Sequence, residues 1–260
     1  MALTYPPPIR VQSSPDGGGL SPESKAVFLM GTLNRDLDVR PFQGEAVLSG
    51  TESLEPDAIV VGTVEVLRTH WNQQGIAGPL DMDYPASLVP FLGREIWEST
   101  LGEARRWPFE VFVKPRACKA FEAGFLNPAQ RADEWPGAGW PDTTPIWISQ
   151  GFDPHAEYRV YLKQGGIVGV ARYDPNDESP PDDLDMEVVQ AAIAAWSYCP
   201  RDPMPAGCAL DFAVDGRGAT LLVEATDGWA IGYYPKLERE AYLDLLVARQ
   251  QEIIGHRSGN

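Results

Sequence analysis

The chain has 260 residues, of which 43% are hydrophobic and 22% are charged, an ordinary composition for a folded protein with a substantial core. Its 37 acidic and 21 basic residues give a formal net charge of −16, which disfavours broad binding to nucleic acid or anionic lipid. The three cysteines and three histidines lack the spacing of a zinc site or a disulfide framework. With no recognisable signal peptide and no apolar run of about 20 residues, we expect a cytoplasmic protein without a membrane span.

The first part of the chain predicts a surface arm followed by a small α/β layer. Prolines and glycines dominate the first 23 residues, which favours extended or turning backbone. Short apolar runs bounded by glycine indicate strands, and longer runs with helical spacing indicate helices. The predicted elements are an arm over 1–23, strands over 26–30 and 58–62, and helices over 64–73 and from Ser87 or Leu88 to Leu101.

The second part predicts strands, two β-hairpins and two helices. Lys163-Gln164-Gly165-Gly166 and Asp215-Gly216-Arg217-Gly218 are the hairpin turns. The stretch 173–187 holds seven acidic residues and no basic one, which indicates a solvated loop or, alternatively, a metal-binding cluster. The predicted strands are 109–115, 146–149, 157–162, 167–173, 208–214 and 219–224; the helices are 186–198 and 237–254, and 128–145 is a long loop.

A local group of cations follows the strand 109–115. Lys114 ends this strand, and Arg116 and Lys119 come within the next five residues. Ammonium and guanidinium groups bind phosphate oxygens, so the group is a candidate phosphate site inside an acidic protein. The alternative is that these are exposed side chains at a strand end.

Three charged residues interrupt otherwise apolar strands. Asp211 and Glu224 lie on the two strands of the second hairpin, where simple register would place both carboxylates on one face of the sheet. Such oxygens, next to a polyphosphate, suit Mg²⁺. The alternative is that each acid pairs with a nearby arginine such as Arg172 or Arg217. Arg159 is the third residue, and its alternative role is a salt bridge on an exposed face.

In this order, the segments resemble the ATP-grasp superfamily, and more narrowly a small clade with one arginine and two lysines in its active site. The resemblance covers about the last two thirds of the chain. The segments that carry it are Phe112-Val113-Lys114-Pro115 with Lys119-Ala120-Phe121, Glu157-Tyr158-Arg159-Val160-Tyr161, Leu210-Asp211-Phe212-Ala213-Val214, Val223-Glu224-Ala225-Thr226-Asp227-Gly228 and Gly232-Tyr233-Tyr234, with a lead-in at Tyr84-Pro85 and 91–97.

The resemblance implies an α/β (α+β) fold in which two α+β subdomains clasp ATP. It divides the chain into an arm (1–24), a small α/β domain (25–105) and an ATP-grasp domain (106–260). It also implies the ligand set. Lys114 and Lys119 would hold ATP phosphates, Trp147, Ile148 and Ser149 would form the adenine hinge, Arg159 and Lys119 would be catalytic, and Asp211 and Glu224 would bind Mg²⁺.

One position departs from the family pattern. The metal-binding Glu is usually followed two residues later by Asn, and here Thr226 stands at that position, so either Thr226 or Asp227 is expected to supply the missing oxygen. The implied reaction activates a carboxylate as an acyl phosphate and joins it to an amine, on small-molecule or peptide substrates. A regulatory nucleotide-binding module and a phosphotransferase are the alternatives.

Overall fold

In the computed structural model, residues 7–14, 19–34, 36–152, 154–173 and 184–255 are described. They form three sheets and six α-helices, besides short 3₁₀ helices at Ala86–Phe91, Ala132–Glu134 and Gly228–Ala230. The strands are β1 (Ile9–Ser13), β2 (Val39–Gln43), β3 (Ile59–Val61), β4 (Ile96–Thr100), β5 (Val111–Pro115), β6 (Gly124–Leu126), β7 (Pro145–Ser149), β8 (Pro154–Lys163), β9 (Gly166–Arg172), β10 (Gly207–Asp215) and β11 (Thr220–Asp227). The helices are α1 (Pro22–Leu33), α2 (Gly44–Leu48), α3 (Val64–Gln73), α4 (Leu101–Ala104), α5 (Met186–Ser197) and α6 (Arg239–Gly255).

The N-terminal sheet is parallel, with the strand order β2-β1-β3. The prediction of a surface arm is wrong for residues 9–13, because β1 is the central strand and Ile9 and Val11 are buried in the core. Pairing on both edges buries a strand whatever its flanking prolines suggest. Residues 1–6 and 15–18 of the predicted arm lie outside the described residues.

The strand predicted over 26–30 is also wrong, because these residues belong to helix α1. The Ser21 hydroxyl caps the helix by accepting from the Ser24 N–H at 3.2 Å, and Pro22 occupies the first turn, where a missing N–H costs nothing. Val27 then packs into the core beside β1 and β3. An apolar run of five residues is too short to show whether its period is that of a strand or that of a buried helix.

The first antiparallel sheet has the strand order β4-β7-β5-β6. Its strand β4 lies in the segment from Ser87 or Leu88 to Leu101, for which the prediction of one long helix is wrong. The segment instead begins as a 3₁₀ helix that contains Pro90, turns at Gly93 (φ +60°), and continues as β4 and the short α4. Proline lacks the N–H that a longer α-helix requires. β4 lies within the predicted domain 25–105, yet it pairs with β7 of the second part.

The second antiparallel sheet has the order β11-β10-β8-β9 and is built from the two predicted hairpins. α5 covers one face, against a core that includes Leu210, Phe212 and Trp196. α6 covers the other face and joins it to the N-terminal sheet, since the Gln250 amide exchanges hydrogen bonds of 2.9 and 2.8 Å with the N–H and carbonyl of Val60. The sheet is therefore fixed to the N-terminal sheet on the face opposite α5.

Most of the remaining elements agree with the sequence. The helix predicted over 64–73 has the bounds of α3, and the strands and helices predicted from 109 onward correspond to β5, β7 to β11, α5 and α6. Most of the acidic stretch 173–187 lies outside the described residues. Among the helices that the structure describes, none is long and apolar enough to cross a membrane.

Candidate functional site

A cavity of about 490 Å³ opens between the two antiparallel sheets and the loops beside them. β5 contributes Lys114, the loop after it contributes Lys119, β8 contributes Arg159, and β11 contributes Glu224 and Thr226. These residues come from distant parts of the chain. Together with Arg116 and Asp227, which also line the cavity, they make up most of the candidates identified in the sequence, although Asp211 is not among the lining residues. The fold thus brings the predicted phosphate and metal groups to one cleft.

Lys114 lies between two carboxylates in this cleft. Its ammonium contacts an oxygen of Asp83 and an oxygen of Glu224, and the side chains of Lys114, Asp83 and Glu224 are 21%, 13% and 28% exposed. Strand alternation explains the direction, because Val111 and Val113 point into the core and Lys114 points away from it. Burial disfavours the charged ammonium, but the charges of Glu224 and Asp83 outweigh this effect and hold the pKa of Lys114 above its ordinary value.

Asp83 is a site residue that the sequence analysis missed. One carboxylate oxygen contacts Lys114, the other accepts from the Trp147 indole at 2.9 Å, and its backbone carbonyl accepts from the Ala225 N–H at 2.9 Å. Burial raises the pKa of Asp83, against the opposing charge of Lys114. An acidic residue in a loop belongs to no periodic pattern, so the sequence gives no reason to select Asp83 over other loop acids. The only local indication is that Tyr84-Pro85, part of the family resemblance, follows it directly.

Arg159, Asp211 and Glu224 form a row across three neighbouring strands. Asp211 lies opposite Glu224 on β11 and opposite Arg159 on β8, so the three side chains share one face of the sheet. The expectation that the hairpin places Asp211 and Glu224 on one face agrees with this register. A bulge follows the Asp211–Glu224 pair, where the register shifts by one residue on β11.

The ion-pair partners of these residues differ from those suggested by the sequence. Arg159 donates to both oxygens of Asp211, at 2.8 and 2.6 Å, while Arg217 bridges to Asp215 instead. Asp211 is 2% exposed, and both of its oxygens accept from one guanidinium. Asp211 is therefore held as half of a buried ion pair in this structure, and Arg159 has its charge already engaged.

Two tyrosines lie beside the guanidinium of Arg159. Tyr173 and Tyr234 stack with ring centroids 5.0 Å apart and an interplanar angle of 8°, and the Arg159 Cζ lies 5.7 and 5.3 Å from the two centroids. Burial raises the pKa of both phenols, so they stay neutral and present aromatic faces to the cation. The guanidinium therefore contacts two aromatic rings as well as the carboxylate of Asp211.

Thr226 and Asp227 differ in how far they are available to a ligand. Thr226 is half-buried, lines the cavity and shares the strand face of Glu224. Asp227 accepts from Arg249 at 2.7 and 2.6 Å and is 7% exposed, so both of its oxygens are engaged. Of the two alternatives left open by the sequence, the geometry favours Thr226.

The oxygen donors of the cleft are compatible with a Mg²⁺ ion shared with phosphate. Within the described ranges no group of three or more His, Cys, Asp or Glu side chains forms a complete metal site. Asp83 and Glu224 nevertheless converge on a single cationic atom, and Thr226 adds a hydroxyl. Mg²⁺ commonly takes one or two carboxylates and completes its shell with water and substrate phosphate, so this set fits the ion.

The predicted adenine hinge lies in the middle of a sheet. β7 is paired on both edges, with β4 and with β5, so its backbone groups are engaged in the ladder. Ile148 is buried in the core of this sheet and Ser149 is nearly as buried. Trp147 is not among the residues that line the cleft, and its indole is linked to the cleft by donating to Asp83 at 2.9 Å. The adenine-binding role expected for Trp147, Ile148 and Ser149 stays a prediction.

Lys119 connects the cleft to a second cavity. Its backbone is left-handed (φ 56°), and its side chain lines both the first cavity and one of about 290 Å³ at the carboxyl ends of β1 and β3. Ser13, Ser21 and Glu23 contribute polar groups to this second cavity. Residues 229–232 line both cavities and form their shared wall.

Comparison with known structures agrees with this architecture. D-alanine–D-alanine ligase from Bacillus anthracis is 12% identical over 96% of this chain and 98% of that chain, with a TM-score of 0.54, or 0.52 for its complex with ATP. N5-carboxyaminoimidazole synthetase from Staphylococcus aureus is 8% identical over 95% of this chain and 78% of that chain, with a TM-score of 0.53. At these identities the likeness is one of fold. No curated protein matches the sequence.

The sequence also matches a family model. This model describes the ATP-grasp domain in family 2 of the clade with one arginine and two lysines, and it covers residues 91–245, more than half of the chain. Its range begins before β4 and ends within α6, so it includes both antiparallel sheets and the charged residues between them. The predicted superfamily and the α+β ATP-grasp fold class are confirmed, and the predicted enzyme class of ATP-dependent ligase agrees with them. The chain belongs to the ATP-grasp superfamily, in family 2 of the clade with one arginine and two lysines.

Proposed function

We propose that the protein is an ATP-dependent ligase that activates a carboxylate as an acyl phosphate and joins it to an amine or a similar nucleophile. The observation that carries this proposal is the cleft itself. The chain belongs to the ATP-grasp superfamily. One cavity is lined by the cations Lys114, Lys119 and Arg159 together with the carboxylate of Glu224. Cations beside paired oxygen donors suit a nucleotide polyphosphate with its Mg²⁺.

The residues of the cleft take distinct roles in this proposal. Lys114 and Lys119 bind phosphate oxygens of ATP. Glu224 and Thr226 would hold Mg²⁺, which would neutralise charge on the phosphates, whereas the expected ligand Asp211 has both oxygens engaged by Arg159 in this structure. Arg159 stabilises negative charge at the transferred phosphoryl group. Catalysis of this kind rests on positioning and on fixed charges and needs no nucleophilic side chain.

The second cavity is the proposed place for the substrate carboxylate and its acceptor. It adjoins the nucleotide cleft along residues 229–232, so a group bound there can approach the phosphates from the side of Lys119. Its polar lining includes Ser13, Ser21 and Glu23, and the Glu23 carboxylate already accepts from the Tyr233 N–H at 3.2 Å. Hydroxyls, a lysine and a carboxylate together suit a substrate with both anionic and amine groups, either a small molecule or a peptide end.

A nucleotide-binding regulatory module is the alternative that one observation favours. Thr226 stands where the family pattern has a metal-binding Asn, and a hydroxyl reaches less far than an amide. A protein that senses nucleotide needs Lys114 and the cleft but no competent second metal. A phosphotransferase would use the same cleft and stop at a phosphorylated product.

ADP release separates these three functions. The protein is incubated with Mg-ATP and a panel of carboxylates, with and without amines, and ADP is measured by a coupled assay. A ligase releases ADP in a manner that depends on the carboxylate, and hydroxylamine traps the acyl phosphate as a hydroxamate. Nucleotide binding without ADP release under every condition would favour the regulatory module. ADP release with a stable phosphorylated product, unaffected by amines, would indicate a phosphotransferase.

A further inference from the structure

The contact between Lys114, Asp83 and Glu224 has a charge imbalance. One ammonium serves two carboxylates, and both oxygens approach the same nitrogen atom. The neighbouring carboxylate of Asp211 is already neutralised by Arg159. The Arg94 guanidinium donates to the Leu222 and Val223 carbonyls and keeps its positive charge, so Arg94 offsets only one of the two carboxylates. The position of the Lys114 nitrogen is therefore a cation position with more negative than positive charge around it.

Asp83 is held in place independently of Lys114. The Trp147 indole fixes one of its oxygens, and the hydrogen bond from the Ala225 N–H fixes its backbone one residue from Glu224. These contacts tie Asp83 to β7 of the first antiparallel sheet and to β11 of the second. A cation that replaced the ammonium would find the Asp83 carboxylate already positioned and the Glu224 carboxylate beside it.

Lys114 has two competing partners in a ligase. It is proposed to bind ATP phosphate, yet in this structure it is held by two carboxylates that would repel the phosphates. A divalent cation bound between Asp83 and Glu224 would neutralise both carboxylates, so that they no longer repel the phosphates. It would also release the ammonium of Lys114, which could then bind phosphate oxygens.

We propose that Asp83 and Glu224 form a divalent-cation site that the ammonium of Lys114 fills in the unliganded protein, and that Mg²⁺ entering with the nucleotide displaces it. Asp83 thereby becomes a metal-binding residue of the cleft, and Lys114 changes partners from carboxylate to phosphate. This inference rests on the proposed function only in taking ATP as the nucleotide that brings the metal ion. Whether a divalent cation can replace the ammonium at Asp83 and Glu224 can be tested on the protein without any nucleotide.

The test measures the affinity of the protein for Mn²⁺ in the absence of nucleotide. Electron paramagnetic resonance detects the free Mn²⁺ ion, so the loss of its signal reports the bound fraction. Wild-type protein is expected to bind Mn²⁺ weakly, because Lys114 competes for the carboxylates. Lys114→Met removes the competing charge and should bind Mn²⁺ at least tenfold more tightly. Adding Asp83→Asn to Lys114→Met should abolish the gain. Adding Asp81→Asn should preserve it, because Asp81 lines the same cavity but pairs with Arg68.

Two results would overturn the proposal. One is a Lys114→Met variant that binds Mn²⁺ no better than wild type, and the other is a gain that survives Asp83→Asn. If Lys114→Met does not fold by circular dichroism, the single variants Asp83→Asn and Asp81→Asn are compared with a non-hydrolysable ATP analogue present. A tenfold weaker Mn²⁺ affinity in Asp83→Asn alone supports the site, and equal affinities overturn it. Because no turnover is measured, a failed ligase assay does not affect this outcome.

Discussion

Arg159 and Asp211 lie directly opposite each other on β8 and β10 and form a two-point ion pair at the edge of the cleft. The two side chains are 11% and 2% exposed, and the row continues to Glu224 on β11. Arg159 and Asp211 are thus held by each other before any ligand binds, and Glu224 is held by Lys114. The arrangement makes Arg159 important for stability as well as for the proposed chemistry.

Arg159→Ala should lower the free energy of unfolding by about 3–5 kcal/mol, because it leaves the buried Asp211 carboxylate without its partner. Urea denaturation followed by tryptophan fluorescence measures this loss. Arg217→Ala is the matched control: it also breaks an arginine–aspartate bridge, but Arg217 is 88% exposed and the cost should stay below about 1 kcal/mol. Equal effects of the two substitutions would contradict the buried pair.

Lys114→Ala should weaken binding of a Mg-ATP analogue about tenfold or more, since a hydrogen bond to a charged group contributes about 1.5–3 kcal/mol. Isothermal titration calorimetry gives the affinity directly. Lys119→Ala should act in the same direction with a smaller effect, because a loop lysine can be replaced by solvent. Lys163→Ala is the control, as its exposed bridge to Asp244 is not among the residues that line the cleft. Unchanged affinity in Lys114→Ala would remove Lys114 from the nucleotide site.

Thr226→Val should raise the Mg²⁺ concentration needed for nucleotide binding with little change in stability, because it keeps the shape of the side chain and removes an oxygen donor. Thr226→Asn should be tolerated. Asp227→Asn should instead lower the free energy of unfolding, since its two oxygens hold Arg249 in a buried site. Mg²⁺ titrations and denaturation curves on the three variants separate these effects. A wild-type response in Thr226→Val together with lost Mg²⁺ dependence in Asp227→Asn would make Asp227 the ligand.

His70 should make the fold sensitive to mild acid. It is fully buried in α3, and within the described part of the chain neither ring nitrogen has a hydrogen-bond partner. Burial lowers its pKa below the ordinary value of 6.5, so the unfolded chain takes up a proton at a higher pH than the folded protein does. Stability is therefore complete above pH 6.5 and falls below it, by at most about 1.4 kcal/mol per pH unit, until the folded pKa is reached.

His70→Leu should flatten this acid dependence. Denaturation curves at about pH 7.5, 6 and 5, which bracket the ordinary histidine pKa, measure the slope in both proteins. A His70→Leu variant whose stability falls with acid as steeply as wild type would show that other groups cause the loss.

Local sequence was sufficient where a turn or a clear period fixed the backbone. Lys163-Gln164-Gly165-Gly166 closes β8 onto β9, with Gln164 and Gly165 both at positive φ, and this turn predicted the hairpin. The same reasoning failed over 26–30 and in the segment from Ser87 to Leu101. There the apolar run was too short or too irregular to decide between helix and strand, and pairing with distant β7 decided for β4.

The sequence by itself determined the ATP-grasp family, the two hairpins and the chemical types of the site residues, because alternation, turn residues and residue order are local properties of the chain. The tertiary structure decided which charges meet. Asp83 and Lys114 are 31 residues apart, and Glu224 lies a further 110 residues along the chain from Lys114. No periodicity relates such positions, and they converge because the two antiparallel sheets and the loop that carries Asp83 meet around a single cleft. The partners of Asp211 and Asp227 were fixed in the same way, by the register of β8 on β10 and by the packing of α6.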